Sequence, residues 1–405
     1  MNVHDVEFVK ELYPRLREDD AAIERYRAAI EKLPPITVAR GRVLVDGFHR
    51  WQAHKREGVD EIAADDLGNL TDAEIVRESI TRNAAHGQQL SMRDKQRLAG
   101  QLWVTFAHLN GGRTAEIAGM LSVSERTVQG WTKDARASEK SDQQARAWDL
   151  WLDCHEQKAI AAVLGVSEAT ISGWFKERKV ADSESEPPAP RQHFDVWSFQ
   201  TADGDSSFFG RMPPQVVENL LWLYTEPGQT IVDPFAGGGT TIDVAKQMGR
   251  RVWASDLTPS TPTLPIHQHD ITSGWPKDAP AKADLILLDP PYWKQAAGRY
   301  SDAPDDLGNL SLVEFRSAWA KTIANCVPHL AVGGKLAFIV SPSVDGDTVV
   351  DHAFEMYAEI AKHITPLRRV IVTYNTQQAT GQQVTWARDN KQLLKLYRDL
   401  VVFTA

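Results

Sequence analysis

Apolar residues recur along this chain in distinct rhythms that mark different kinds of segment. In residues 19–33, apolar and charged positions alternate at helical spacing (Ile23, Tyr26, Ala29, Ile30) until Pro34 and Pro35 stop the helix. Short runs at 36–39 and 42–45, joined by a turn at Gly41, predict two strands, and the second enters Asp46-Gly47-Phe48-His49-Arg50 and a helix carrying Trp51, Ala53 and His54. From Ser91 the pattern is helical. Past residue 213 strands and helices alternate: helix 215–224, strand 230–232, a helix through Ile242, Ala245 and Met248, strand 251–255, strand 285–288, helix 315–327 and strand 335–340. Runs at 369–373 and 400–403 predict a closing hairpin at the sheet's far edge, joined by a loop with Gln377, Gln378, Gln382 and Gln383. The run Leu285-Ile286-Leu287-Leu288 lacks helical periodicity, so it reads as a buried central strand of a parallel sheet. Pro290 and Pro291 forbid both helix and ladder bonds after it, so Asp289 and Tyr292 are held at the strand's carboxyl end, where open α/β sheets bind ligands.

One unit in the helical stretch is used twice. Ile117, Ala118, Leu121, Val123, Ser124, Thr127, Val128, Gly130 and Trp131 recur as Ile160, Ala161, Leu164, Val166, Ser167, Thr170, Ile171, Gly173 and Trp174. Each copy is a short helix, a turn, a serine at an N-cap and a second helix whose Val128 or Ile171 faces inward. This is the helix-turn-helix pattern, whose second helix enters the DNA major groove. Arg126, Thr127 and Gln129 in one copy, and Ala169, Thr170 and Ser172 in the other, are the candidate base contacts; Lys133, Lys176, Arg178 and Lys179 are the candidate phosphate contacts. The competing reading is a plain helical bundle with Trp131 and Trp174 in its core.

Composition narrows the class. The chain has 405 residues, 42% hydrophobic and 24% charged, which predicts several domains of an ordinary soluble protein. No apolar run approaches the roughly 18 residues of a spanning helix, and the charged amino terminus is no secretory signal, so a cytoplasmic, nucleoid-associated protein without membrane contact is expected. Two cysteines in unrelated regions, Cys154 and Cys326, indicate neither a disulfide framework nor a metal site. A net charge of −9 leaves the partner open, because local basic surface matters more than the sum. The acidic, proline-rich stretch 181–191 reads as a linker.

Chemistry gathers at predicted strand ends. Strand 230–232 meets Asp233-Pro234-Phe235-Ala236-Gly237-Gly238-Gly239-Thr240, where three glycines let backbone approach a ligand; no Gly-Lys-Ser/Thr ending follows, which argues against a phosphate-gripping loop. Asp256 ends the next strand at the position of a ribose-binding acid, Asp270 stands at the expected end of the following one, and Asp289 closes the fourth. Four acids thus share one sheet edge. Gly47, His49 and Arg50, at a strand-to-helix turn, read either as an anion cradle or as an ordinary turn with solvated cations.

Two resemblances attach to these residues. Asp46-Gly47-Phe48-His49-Arg50-Trp51-Gln52-Ala53, with the helix and hairpin before it, resembles the ParB/sulfiredoxin-like domain over residues 15–88. That likeness implies Gly47, His49 and Arg50 as phosphate contacts, although Phe48 replaces the usual acid and only Asn83 remains of the later Glu-Asn-x-x-Arg box. Residues 192–405 resemble the amino-methylating DNA methyltransferases, with Asp233 to Gly239 matching their S-adenosylmethionine motif and Asp289-Pro290-Pro291-Tyr292-Trp293 their catalytic motif. The resemblance implies a multidomain chain: an α+β ParB-like domain (1–88), an all-α tandem helix-turn-helix region (89–180), the linker (181–191) and an α/β Rossmann-like methyltransferase (192–405). It implies S-adenosylmethionine held by Asp233 to Thr240, Asp256 and Asp270. Asp289 and the Pro290 carbonyl would accept the hydrogens of an exocyclic amino group, while Tyr292, assisted by Trp293, stacks on the flipped base.

Asp before Pro-Pro-Tyr favours adenine N6 over cytosine N4. A target recognition domain has no room after the cofactor motif, so double-stranded DNA is expected to be engaged by the amino-terminal segments. A DNA-binding regulator with a vestigial methyltransferase domain and an RNA amino-methyltransferase are the alternatives. Oligomeric state, with a homodimer among the options, target sequence and any restriction partner stay open.

Overall fold

The structure is a computed structural model that describes residues 1–14, 19–107, 109, 111–183, 192–199, 212–259, 262–294, 306–345, 348–373 and 380–405, except for 86–89. Of the expected linker, Ala181–Ser183 continue a helix and 184–191 lie outside the described residues, as do His86, Gln377 and Gln378, the 300–305 part of the polar segment after Tyr292, and the Lys179 side chain. The chain forms two compact units, Met1–Asp142 and Gln143–Ala405. The boundary falls inside one helix and separates the two copies of the repeat, so the compact units differ from the spans expected at 88, 180 and 191.

In the amino-terminal unit, helix α1 (Asp20–Arg27) starts where the Asp19 side chain accepts from the Ala22 amide. Strands β1 (Ile36–Ala39) and β2 (Val43–Asp46) pair antiparallel, and β3 (Ala64–Asp66) joins β1 in parallel. Helix α2 (Phe48–Glu57) leaves the sheet through Gly47, whose φ of +100° puts it in the left-handed region. A Cβ there would sit 2.7 Å from the Ile36 side chain, so this turn requires glycine twice over. Helices α3 (Asp72–Ala85), α4 (Met92–Thr105), α5 (Arg113–Leu121) and α6 (Glu125–Trp131) build a second core around Leu98, Leu102, Phe106, Ile117 and Val128. Ser124 caps α6 by accepting from Thr127 N at 3.1 Å.

Helix α7 (Lys133–Leu152) carries the boundary. In the carboxy-terminal unit, α8 (Gln157–Leu164) and α9 (Glu168–Ser183) repeat the pair. Ser167 accepts from Thr170 N at 3.1 Å, Ile171 is buried, and Trp148, Trp151 and Phe175 complete a small aromatic core. Trp131 and Trp174 are partly buried against their respective cores, as the bundle reading anticipates.

The rest of this unit is an eight-stranded sheet among the described residues. Its strands are β4 (Val196–Ser198), β5 (Thr230–Asp233), β6 (Arg251–Asp256), β7 (Ile266–Gln268), β8 (Ala283–Leu288), β9 (Leu330–Val340), β12 (Thr365–Thr373) and β13 (Tyr397–Thr404), after a small hairpin, β10 (Ser343–Asp345) and β11 (Thr348–Val350). The order is β4-β12-β13-β9-β8-β5-β6-β7, with β7, β6, β5, β8 and β9 mutually parallel and β13 antiparallel to both neighbours. Strand β4 was not anticipated; because it pairs outside β12, the closing hairpin is not the sheet's edge.

The central strands are buried almost continuously, with successive side chains packing on opposite faces, as they must when both faces are covered. Ile286, Leu288, Leu336 and Phe338 face α12 (Leu312–Cys326) and α13 (His352–Ile360), while Leu285, Leu287, Ala337 and Ile339 face α10 (Pro214–Tyr224) and α11 (Thr240–Gln247). This three-layer α/β arrangement is the expected class. Helix α14 (Gly381–Asp389) replaces part of the glutamine-rich loop expected between β12 and β13. None of the helices searched among the described residues is long and apolar enough to cross a membrane.

Phe338 is fully buried in the core between the sheet and helices α12 and α13, and stacks near Phe403. Phe338→Ala should cost about 3–5 kcal/mol of unfolding free energy in denaturant titrations; a loss below 1 kcal/mol would mean that this core is not the one that holds the sheet.

Candidate active site

The parallel strands set three of the four expected acids at their carboxyl ends. Asp233 ends β5 and Asp256 ends β6, while Asp289 follows β8 directly. Asp270 differs from expectation. It lies two residues beyond β7 and caps a 3-10 turn, with its oxygens accepting from the Thr272 amide and hydroxyl at 2.8 Å each. Local capping therefore accounts for this carboxylate.

Asp256 organises the glycine turn across the strand gap: one oxygen accepts from Gly237 N at 2.9 Å and the other from Thr258 N at 2.9 Å. Gly237 and Gly239 both have positive φ, and a Cβ on Gly239 would lie 2.2 Å from Leu264. Pro234 and Ala236 are buried, Phe235 and Gly238 are partly exposed, and Thr240 is buried with its hydroxyl donating to the Met212 carbonyl at 3.3 Å. Thr240 thus ties α11 to the preceding segment.

Asp233 is only 3% exposed. Burial pushes its carboxyl up to about 7, helped by the charges of Asp289 and Asp256, against hydrogen bonds from the Thr241 side chain and the Phe235 amide. Asp289, at the end of the adjacent strand, is pushed up to about 6 by burial, opposed by the positive charge of Arg398 and by a hydrogen bond from Tyr292. The Tyr292 hydroxyl donates to Asp289 Oδ1 at 3.1 Å. Arg398 is buried near the start of β13. No local motif flags it; only the pairing of β13 with β9 brings it to this edge.

Pro290 is buried, while Pro291 and Tyr292 are partly exposed. Trp293 is 1% exposed, which removes it from the expected stacking role. Its indole donates to the Leu310 carbonyl at 2.8 Å, its own carbonyl accepts from the Ser343 hydroxyl at 2.6 Å, and its ring meets His352 edge-on. It is the plug that fixes the chain after Tyr292.

The other candidates are dispersed. Arg126, Gln129 and Lys133 are exposed in the amino-terminal unit and Ser172 and Lys176 in the carboxy-terminal unit, while Thr127 and Thr170 are partly covered and share hydrogen bonds with their cap serines. Arg178 lies over the Trp148 ring at 5.1 Å. The phosphate cradle expected at Gly47 is not open: Arg50 pairs with Asp46 at 2.8 Å and holds the Pro34 and Pro35 carbonyls, and His49 Nε2 accepts from the Asp19 amide at 3.1 Å. Both side chains fasten the fold.

With this geometry in place, likeness to known proteins is informative. A family model for N6/N4 methyltransferases, described as DNA methylase, matches residues 121–260, under half of the 405. That interval holds the Asp233 turn and Asp256 but ends before Asp289. The type II methyltransferase M2.DpnII of Streptococcus pneumoniae is 37% identical over 65 residues, covering 15% of this chain and 24% of that protein. M.BglII of Bacillus subtilis is 31% identical over 67 residues, 16% of this chain and 19% of its own length. The chain spans a quarter or less of the curated relatives it matches. Among solved structures, the N-methyltransferase NodS of Bradyrhizobium japonicum, in complex with S-adenosyl-L-homocysteine, aligns at 17% identity and TM-score 0.30, covering 48% of this chain and 89% of that one. The family model is described as DNA methylase and the relatives as type II methyltransferases, and the likeness to this chain is confined to these partial spans.

Because burial raises Asp233, the folded state binds its proton more tightly than the unfolded chain, and this group's contribution to stability is lost as pH rises from about 4 to about 7. Asp233→Asn should therefore raise the melting temperature by several degrees at pH 8 and by clearly less at pH 5; an equal shift at both pH values in calorimetry would contradict the raised carboxyl.

Proposed function

We propose that the carboxy-terminal unit transfers a methyl group from S-adenosylmethionine to the exocyclic amino nitrogen of a flipped DNA base, adenine N6 in preference to cytosine N4. One observation carries this reading: β5, β6 and β8 are adjacent and parallel, so the glycine turn, Asp256 and the Asp289–Tyr292 exit meet at a single sheet edge. The donor set fits the cofactor. Asp256 keeps carboxylate lone pairs beyond the two amides it accepts, the chemistry that ribose hydroxyls need, and Gly237 and Gly238 leave part of the turn exposed. When bound there, the cofactor would supply an electrophilic methyl group.

This chain's residues do the remainder. An exocyclic amino nitrogen is a weak nucleophile because its lone pair is delocalised into the ring. Asp289 and the Pro290 carbonyl, held by the double proline, are suited to accept its two hydrogens and draw the nitrogen toward tetrahedral geometry. Ionised Asp289 is the accepting form, and with its carboxyl near 6 it prevails at neutral pH. Tyr292 is partly exposed and tethered to Asp289, which suits a stacking face for an extruded base. No covalent intermediate is required, consistent with thiols that burial keeps protonated at Cys154 and Cys326. The preference for adenine rests on Asp rather than Ser before Pro-Pro-Tyr.

For DNA engagement, the exposed Arg126, Gln129 and Lys133 in one copy of the repeat, with Ser172 and Lys176 in the other, support a helix-turn-helix role for both helix pairs. The ParB-like reading of the first 88 residues rests on the strand-turn-helix around Gly47 without the nucleotide function, since Arg50 is committed to Asp46.

Methylation-sensitive sequencing of DNA from cells expressing the chain tests base and site together. Asp289→Ala should lower transfer by about 10²–10³-fold while titrated cofactor binding is retained; methylation that survives the change would remove Asp289 from the mechanism. The rate should fall with an acidic limb near pH 6. Tyr292→Phe removes a hydrogen bond that stabilises the ionised carboxylate, so the limb should move to higher pH, and a limb that stays in place would show that another group titrates.

A further inference from the structure

Contacts near the target base must come from something at the catalytic edge, and the second helix pair is fastened elsewhere. Arg251, the first residue of β6, donates through Nε to the Trp151 carbonyl at 3.2 Å and lies over the Trp151 ring at 5.5 Å, and Lys246 near the end of α11 pairs with Asp153 at 2.5 Å. These anchors lie at the amino ends of the strands. Asp256 and Asp289 lie at the carboxyl ends, about 17 Å away along a six-residue strand.

Helix α14 and the chain after it do stand at the catalytic edge. They connect Thr373 to Tyr397, which pair with each other, and Asp399 two residues on pairs with Val340 at the carboxyl end of β9. The Ser341 hydroxyl donates to the Tyr397 carbonyl at 3.3 Å and Lys395 holds the Pro342 carbonyl, so the segment is tied to the exit of β9. β9 is the neighbour of β8, so the connection enters the sheet two strands, roughly 10 Å, from the strand that ends at Asp289.

The segment's composition is unusual for its position. A helix on a globular domain normally buries an apolar stripe, but α14 buries only Ala387. Trp386 is 57% exposed and Leu393 is 96% exposed, beside exposed Val384 and Leu396. Thr380 closes a capping box with Gln383, so the helix is held locally at its start rather than by packing. Trp386, Gln382, Gln383, Thr380 and Leu394 line an open cleft of about 580 Å³. Arg388, Lys391 and Lys395 face a single acid, Asp389, within residues 380–396, in a chain of net charge −9. An exposed indole, side-chain amides and a local excess of cations together match a polyanion that presents stacked bases.

We propose that α14 and the segment to Leu396 form a DNA-docking wall beside the methyl-transfer site, with Arg388 and Lys391 on phosphates and Trp386 and Gln382 against the duplex where the target base leaves the stack. The proposal takes its partner from the methylation reading, and it assigns to this insert the work of a target recognition domain.

The test uses the full chain and a fluorescent mixed-sequence duplex. The double variant Arg388→Gln/Lys391→Gln should reduce the slope of log affinity against log salt by about two, at roughly 0.9 for each phosphate that is no longer neutralised. Trp386→Ala should raise the KM for DNA about tenfold with cofactor affinity unchanged, and Trp386→Phe should restore most of it. An unchanged salt slope together with an unchanged KM, in variants that melt as the wild type does, overturns the docking wall. If the wild-type chain transfers no methyl group, the methylation reading fails on its own. The salt slope still decides this proposal in that case: a reduced slope supports it and an unchanged one overturns it.

Discussion

A buried carboxylate and a half-buried one stand at the ends of the adjacent strands β5 and β8, Asp233 and Asp289, and the surrounding architecture answers to that constraint. Removing an ionised carboxyl from water is costly unless hydrogen bonds or positive charge compensate. Asp233 has the Phe235 amide and the Thr241 side chain, and Asp289 has the Tyr292 hydroxyl and the charge of Arg398. Compensation is partial in both cases, which leaves carboxyls that titrate close to neutrality. Structural ion pairs such as Arg369 with the buried Asp399 are compensated directly, at 2.9 Å. The difference separates a site from a brace.

Holding such a pair in place requires rigidity on both sides. On the β8 side, the double proline restricts the exit and Trp293 is driven into the core, tied by Leu310 and Ser343. On the β5 side, Asp256 reaches across from β6 to hold Gly237, so two strand tips are tied through one carboxylate. An acid suited to ribose hydroxyls therefore also shapes the turn beside which a ribose would lie. His352 is fully buried against Trp293 and Phe315, and burial lowers its basicity, which keeps the packing beneath the exit uncharged.

Much of the sheet was legible from periodicity. The strands at 230–233, 251–256 and 283–288 and the helices between them match their apolar patterns, because each is buried on a face set by its own sequence. The short strand β4 has three residues and carries too little pattern to register, whereas the strand expected before Asp270 is present as β7 and ends two residues sooner. Asp270 was expected at a strand end on spacing, but a threonine two residues on gave it a local hydrogen-bonding alternative, and capping prevailed. Arg50 and His49 had the residue types of an anion cradle. Sequence spacing does not reveal that Pro34, Pro35 and Asp19 come within reach to engage them.

What the sequence by itself determined are the features encoded within a few consecutive residues: the glycine turn after Asp233, the rigid exit after Asp289, and the duplicated helix pair with its cap serines. Their geometry follows from local backbone restriction, which a contiguous motif carries whole. Tertiary structure alone decided which residues surround them. It buried Trp293, brought Arg398 to Asp289 through the register of β13 on β9, anchored the second helix pair at the strands' amino ends through Arg251 and Lys246, and placed α14 at the carboxyl edge. Each of these depends on pairings between segments far apart in the chain, and such pairings form only when the whole sheet does.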